Sequence, residues 1–337
     1  MSASTSSAIL DITELAADGP VRLPTSRQLY GRWERQQWSV ADVGVSRDTQ
    51  EWRVLRPFYR KELLNALAEL EVGEVCVTET LSSLVESAPT TDHRIYLCTQ
   101  LADEARHVRF FQSYLTEAVG MDVESSEGQH ALDETTDYAQ VFAPRLRRAT
   151  DRARESADEG PWHAAVVLYH LITEGVLAAT ALRTTREVVR TLALPALSEG
   201  LTNVIRDESR HVSFGLAAVR EGVRSGWGLT IWQAYAAGID LAAWVLIGPR
   251  RHNPAPVIRQ ALLYRVAQLE NQVAIARDRL LRQLRLIGLE DRQADADSRW
   301  TAACEAALNA YRGHWNTDHP LRALAGNQTR PPARSQL

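Results

Sequence analysis

The sequence predicts an all-α fold in one large helical domain, and three observations carry that reading. Beyond Arg56, apolar residues recur at spacings of three and four through most of the chain. No stretch alternates apolar and polar residues as a half-buried strand does. One motif, Asp-Glu-x-Arg-His, occurs twice, as Asp103–His107 and as Asp207–His211.

The 337 residues are enough for a large buried core. A net charge of −4 and a pI near 6.2 give no footprint for nucleic acid. Met1 to Pro20 has neither a basic start nor an apolar stretch, which argues against a secretory signal. The most apolar run, Ala234 to Gly248, is short and holds Asp240, so no membrane span is expected. Cys76, Cys98 and Cys304 are few, odd in number and scattered, which fits a reduced cytoplasm better than a disulfide framework.

Three domains of behaviour follow along the chain. Residues 1–55 read as a flexible arm followed by an irregular segment, Tyr30 to Trp52, packed on the rest through Trp33, Trp38 and Trp52. Residues 56–320 read as the helical domain. Its first helix, Lys61 to Glu86, repeats Leu63, Leu64, Leu67 and Leu70 and ends at Ala88-Pro89. Asp92 is the expected cap of the next, which runs to about Val119 before Gly120. An acidic loop, Met121 to Glu134, leads to a helix over roughly Asp137 to Ala157. Trp162 to about Leu192 is apolar on most faces, as in the middle of a bundle. Further helices are expected over Pro195 to Arg224, Leu229 to Leu246, Val257 to Leu286 and Ser298 to Trp315. Residues 321–337 read as a flexible tail.

The repeated motif carries the chemistry. Glu104 stands three residues before His107, and Glu208 three before His211. On a helix that spacing stacks both side chains on one face, so a carboxylate and an imidazole reach the same ion. One such pair is weak evidence among nine histidines; two with the same Asp and Arg flanks are not. Glu74 precedes Glu104 by 30 residues and Glu174 precedes Glu208 by 34, about one helix and a turn. Four glutamates, two of them in Glu-x-x-His pairs, are the ligand set of a dinuclear metal site in a ferritin-like four-helix bundle. Their four negative charges are cancelled by two divalent ions, and oxygen-rich ligation suits iron or manganese. Asp207 is positioned to hold His107, and Asp103 to hold His211, if the motif helices run antiparallel. Glu71 and Glu79 compete with Glu74, whose apolar neighbours Val75 and Val77 favour it. His170, four residues before Glu174, is either a third nitrogen donor or a core histidine near the cofactor.

At these residues the chain resembles the superfamily of ribonucleotide reductase small subunits, and more closely its ligand-binding oxidase branch. The resemblance covers much of Tyr30 to Val219 and is most specific at Gly73-Glu74, Asp103–Phe111, Tyr169–Ala179 and Asp207–His211. It implies a ferritin-like bundle with added helices, a manganese/iron cofactor (two irons being the alternative), O₂ as oxidant and a homodimer. It further implies an ether bond between Val77 and Tyr169 and a long-chain fatty acid buried against the metals, with room left by Gly175, Ala178 and Ala179. The electron donor and the substrate are not implied. The radical-generating subunits differ at two positions, having Asp where this chain has Glu74 and Tyr where it has Phe111. A metal- or lipid-binding protein without turnover is the reading from another class.

Overall fold

The computed structural model describes residues 22–123, 141–249 and 259–322, with no side chains described for 259–267. Every regular element among the described residues is helical.

The N-terminal segment is where the structure departs most from the sequence reading. Tyr30 to Trp52 is not irregular. Thr25 accepts a hydrogen bond from the Gln28 backbone while the Gln28 side chain accepts one from Thr25, a reciprocal cap that launches α1 (Ser26–Arg35). Two short helices follow, α2 (Val40–Val43) and α3 (Thr49–Val54), joined by a 3₁₀ turn at Val45–Asp48. Gly44, at φ 59°, supplies the left-handed corner between them. α2 and α3 are too short to show a helical period, whereas α1 carries one over its ten residues.

Helix α4 (Pro57–Glu86) begins with a proline at its first position, where the missing N–H costs nothing. Helix α5 (Thr91–Ser113) is capped by Thr90, whose hydroxyl accepts from the His93 backbone at 3.1 Å; the expected cap, Asp92, lies inside the helix. A π-helical turn, Tyr114–Val119, carries α5 to Gly120 at φ 81°. Helix α6 (Ala143–Glu155) covers part of the span expected from 137; the acidic loop beyond Val123 lies outside the described residues. Helix α7 (Gly160–Val166) continues without a break through a π-helical stretch, Val167–Ala178, into α8 (Ala179–Thr191). Helix α9 (Pro195–Gly222) is capped from far away in sequence. Asp48 accepts hydrogen bonds from the backbone N–H groups of Ala196 and Leu197, at 3.0 and 2.9 Å, and so ties the N-terminal segment to the bundle. After a bend at Gly226 (φ 94°) come α10 (Gly228–Ile247), α11 (Arg259–Ile287) and α12 (Gln293–Trp315).

α4 and α5 pack along one another, the α7–α8 rod packs along α9, and the two pairs close a four-helix bundle. α10 and α11 lie outside it against the α7–α8 rod, and α12 packs on α10 and α11. The α7–α8 rod and the α9–α10 pair, bent at Gly226, are long and apolar enough to cross a membrane by length and composition. In this fold 78% and 56% of their most apolar windows are buried inside the protein, as expected of bundle helices.

The core is split in two. One apolar cluster takes Val77, Leu81 and Leu84 from α4, Tyr96 and Leu97 from α5, and Val212 and Phe214 from α9. The other takes Leu67 and Leu70, Phe110 and Phe111, and Leu201 and Val204 from the same three helices. Between the two sets, each helix carries its glutamate. A polar layer therefore crosses the bundle between two packed apolar blocks, where it must be satisfied internally.

Candidate metal centre

The polar layer gathers all six residues that the sequence singles out as ligands. Glu104, His107 and His211 have no solvent exposure, Glu174 has 2%, Glu208 5% and Glu74 6%. Two groups form within it. Glu74, Glu104, His107 and Glu208 place ligand atoms within 4.8 Å of one another, and so do Glu104, Glu174 and His211. His107 Nδ1 lies 3.4 Å from Glu74, 3.5 Å from Glu104 and 3.4 Å from Glu208. His211 Nδ1 lies 3.3 Å from Glu104 and 3.5 Å from Glu208, with Glu174 at 3.9 Å. Glu104 belongs to both groups, and Glu208 approaches both imidazoles.

The donor atoms facing inward are the test of whether metal fits. Glu104 Oε2, Glu174 Oε2, Glu208 Oε2, His107 Nδ1 and His211 Nδ1 are all buried without a hydrogen-bond partner. Five orphaned polar atoms converging in a dry core would be costly at about 1–3 kcal/mol each. Hard divalent cations of the iron or manganese type satisfy that donor set. The residues present fit the group.

The outer nitrogens are tied down crosswise. His107 Nε2 stands 3.3 Å from Asp207, and His211 Nε2 stands 3.2 Å from Asp103. Each aspartate serves the histidine of the other motif because the two helices lie side by side. Both carboxylates have further donors. Arg210 bridges them, with Nη2 2.8 Å from Asp103 and 2.6 Å from Asp207, and Arg106 donates to Asp103. The indole of Trp33 donates to Asp103 at 3.0 Å, and that of Trp38 donates to Asp207 at 2.7 Å. Burial pushes both aspartates up, but the imidazole partners and Arg210 outweigh it, and both stay below the usual carboxylate range.

The inner groups behave differently. Burial lifts Glu74 to about 8 against the pull of His107, and burial with three neighbouring glutamates lifts Glu174 far above the ordinary value. Burial opposes the charged form of Glu208 and of His211 as well, yet the opposite charges win: His211 and His107 hold Glu208 at about 2, and Glu104 with Glu208 lifts His211 to about 10. His107 rises likewise, because four carboxylates outweigh its burial. Without ions, burial and mutual repulsion of the carboxylates favour protons on the layer.

Glu71 is buried but takes a hydrogen bond from Gln112 at 3.2 Å, and Glu79 is exposed and paired with Arg147. His170 is in neither ligand group. Its Nε2 lies 2.9 Å from Gln100 Oε1, and burial lowers its pKa to about 3, so it stays neutral. Gln100 in turn donates to Glu104 at 3.1 Å and to Glu174 at 2.8 Å, clamping two glutamates together. Val77 and Tyr169 come together beside the layer, with the Tyr169 hydroxyl 3.4 Å from the Val77 carbonyl and both side chains buried.

Sequence reasoning missed Gln100 and gave no role to Arg106, Arg210 or the indole N–H groups. The repeated Arg before each histidine was a usable signal. So was the rule that a buried tryptophan needs an acceptor. Gln100 left none.

The fold is shared with solved structures. An R2-like ligand-binding oxidase from Sulfolobus acidocaldarius is 21% identical over 80% of this chain and 94% of that one, with a TM-score of 0.63. A single-residue variant of an R2-like ligand-binding oxidase with anaerobically reconstituted Mn/Fe cofactor is 20% identical, over 81% and 93%, with a TM-score of 0.59. The same kind of protein with aerobically reconstituted metal cofactor after photoconversion is 19% identical, over 85% and 92%, with a TM-score of 0.58. Residues 19–227 match the family described as "Ribonucleotide reductase, small chain", whose members are oxidoreductases. That match takes in the N-terminal tryptophans, both motifs and the whole polar layer, and the chain belongs to the ribonucleotide reductase small-chain family.

Proposed function

We propose that the protein is an O₂-dependent oxidase with two ions, manganese and iron, in the polar layer. The single observation that carries this is the convergence of orphaned donors from Glu104, Glu174, Glu208, His107 and His211 in a dry core. Glu74, Glu104, His107 and Glu208 would hold one ion and Glu104, Glu174 and His211 the other. The pair, when bound, supplies reversible one-electron chemistry and a place for O₂.

The chain's own groups set the conditions. The apolar blocks on either side exclude water, which protects a strong oxidant from side reactions. Asp103 and Asp207 fix the imidazole rings, so Nδ1 of each faces inward. Gln100 holds Glu104 and Glu174 at a fixed separation. Burial among glutamates keeps the Tyr169 hydroxyl protonated, and that hydroxyl donates toward Val77.

The proximity of Tyr169 and Val77 supports an ether bond as the first product of oxygen chemistry here. The phenolic oxygen would join a side-chain carbon of Val77, with loss of one O–H and one C–H hydrogen. The two protons and two electrons would go to O₂. A fatty-acid-like ligand would occupy the space beside Glu208. A homodimer in a reducing compartment is part of the same proposal, and the absence of a disulfide at Cys76, Cys98 and Cys304 accords with it.

Peptide mapping of protein reconstituted with Mn(II) and Fe(II), with and without air, tests this. The proposal requires a linked pair carrying Val77 and Tyr169, two hydrogens lighter than the sum and present only with air. Unlinked peptides from protein holding two metals per chain would remove the cross-link, and failure to bind two metals would remove the oxidase.

A further inference from the structure

The repeat that builds the two ion sites is broken at one buried position. Four residues before Glu104, one turn back along α5, stands Gln100; four before Glu208, on α9, stands Val204. Both side chains are fully buried. The first motif helix therefore brings an amide to the polar layer where the second brings an apolar wall.

The amide is committed at both of its ends. Nε2 carries two hydrogens, which go to Glu104 Oε1 at 3.1 Å and to Glu174 Oε1 at 2.8 Å. Oε1 lies 2.9 Å from His170 Nε2. His170 Nδ1 is buried without a partner, so the ring carries its hydrogen on Nε2 and donates it to Gln100. The imidazole cannot follow a moving amide. It has no solvent exposure, and its Cβ lies so close to α9 that a Cβ added at Gly215 would meet it at 2.3 Å. Turning Gln100 away breaks its bonds to Glu104, Glu174 and His170 together.

The oxygens it holds are the ones that face the second histidine. Glu104 Oε1 lies 3.3 Å from His211 Nδ1, and Glu174 Oε1 lies 3.9 Å from it. The donors of the first group are differently placed. Glu104 Oε2 faces His107 Nδ1 at 3.5 Å, and both atoms are buried with no hydrogen-bond partner, as is Glu208 Oε2. An ion that binds only after a conformational rearrangement has its apparent affinity reduced by the fraction of protein already rearranged.

We infer that Gln100 stands in for the second ion in the metal-free protein and so sets the order of loading. The site of Glu74, Glu104, His107 and Glu208 fills first, and an ion enters among Glu104, Glu174 and His211 only as the amide turns away. Gln100 is a positioning residue, and His170 acts through it. The inference rests on the proposed two-ion reading and deepens it. Two sites of similar ligand type become unequal, as a centre that takes up two different metals in a fixed arrangement requires.

Titration calorimetry of full-length, metal-free protein with Mn(II) alone under nitrogen tests this. The native protein should show two dissociation constants roughly tenfold or more apart. Gln100→Leu should lower the second constant by about tenfold or more and leave the first unchanged, because the glutamates lose the donor that held them. A merely structural role predicts the opposite, a weaker second site, and that result overturns the inference. His170→Phe frees the Gln100 oxygen and should shift the second constant in the same direction by less; no shift in either variant also overturns it. The native protein supplies a test that needs no variant. In crystals carrying one Mn(II) per chain, the anomalous peak should lie among Glu74, Glu104, His107 and Glu208. A peak beside Glu174 and His211 overturns the order of loading. The total Mn(II) bound per native chain reports separately on the two-ion reading, which falls if fewer than two ions are taken up.

Discussion

The two halves of the bundle repeat one another at the ligands and differ almost everywhere else. The first half, α4 with α5, contributes Glu74, Glu104 and His107; the second, the α7–α8 rod with α9, contributes Glu174, Glu208 and His211. Each half sends an aspartate to the other's histidine. The bulk around the ligands is complementary rather than repeated. Eight residues before Glu104 stands Tyr96; eight before Glu208 stands Gly200, where a Cβ would meet Phe110 Cζ at 2.0 Å. Four residues after His107 stands Phe111; four after His211 stands Gly215, where a Cβ would meet His170 Cβ at 2.3 Å. Glu74 sits on a regular α-helix, whereas Glu174 sits in a π-helical stretch where Thr173 reaches back to the Leu168 carbonyl at 3.0 Å. A cavity of about 170 Å³ lined by Ala179, Ile205, Glu208 and Val212 lies against the second half. Local repetition is enough to make two ion sites, and the departures from repetition let the two halves pack on one another.

The largest test breaks the sharing. Glu104 serves both groups, so Glu104→Ala should drop metal content from two ions per chain to less than one, whereas Glu74→Ala should leave the second site filled. Elemental analysis of dialysed protein distinguishes them, and equal losses would mean that the halves are not joined through Glu104.

Proton release comes next. In the metal-free layer burial favours the protonated forms of Glu74 and Glu174, and neighbouring carboxylates favour those of His107 and His211. Loading both ions should therefore release protons. Calorimetry in buffers of different ionisation enthalpy counts them, and release of none would contradict the account of the empty layer.

Farther along the same helices the halves diverge in acid stability. His93 faces Glu221 at 3.4 Å, while burial and the nearby His93 lower His163 to about 4 from 6.5. A base whose folded pKa is depressed takes its proton first in the unfolded chain. Stability should fall as pH drops from about 6.5 to about 4, by ~3 kcal/mol. A His163→Gln variant should lose less over that window in denaturant titrations, whatever its stability at pH 7.

Gly200→Ala should cost about 1–3 kcal/mol by crowding Phe110, with metal content unchanged. The crossed aspartates give an effect of similar size. Asp207→Asn should weaken metal binding by about 10–100-fold, measured by chelator competition, with the first-half ion affected more because its histidine loses its partner.

What the sequence made legible was local. Glu-x-x-His places two ligands on one helix face whatever surrounds them, so Glu104 with His107 and Glu208 with His211 could be read directly. Glu74 and Glu174 were readable because each lies one helix earlier on an apolar face. The bonds from Trp33 and Trp38 to the aspartates span 70 and 169 residues and leave no periodic trace. Gln100 looks like any polar helix residue until its two glutamates arrive. The π-helical stretch was invisible as well, because Val167–Ala178 has the apolar content of any bundle helix. The short helices α2 and α3 were missed for lack of length.

The account's central claim is one ion in each half of the polar layer. Anomalous diffraction from crystals of the reconstituted protein, recorded at the manganese and iron edges, tests it most directly. The account predicts two peaks, one among Glu74, Glu104, His107 and Glu208 and one among Glu104, Glu174 and His211. A single peak, or none within the layer, would contradict it.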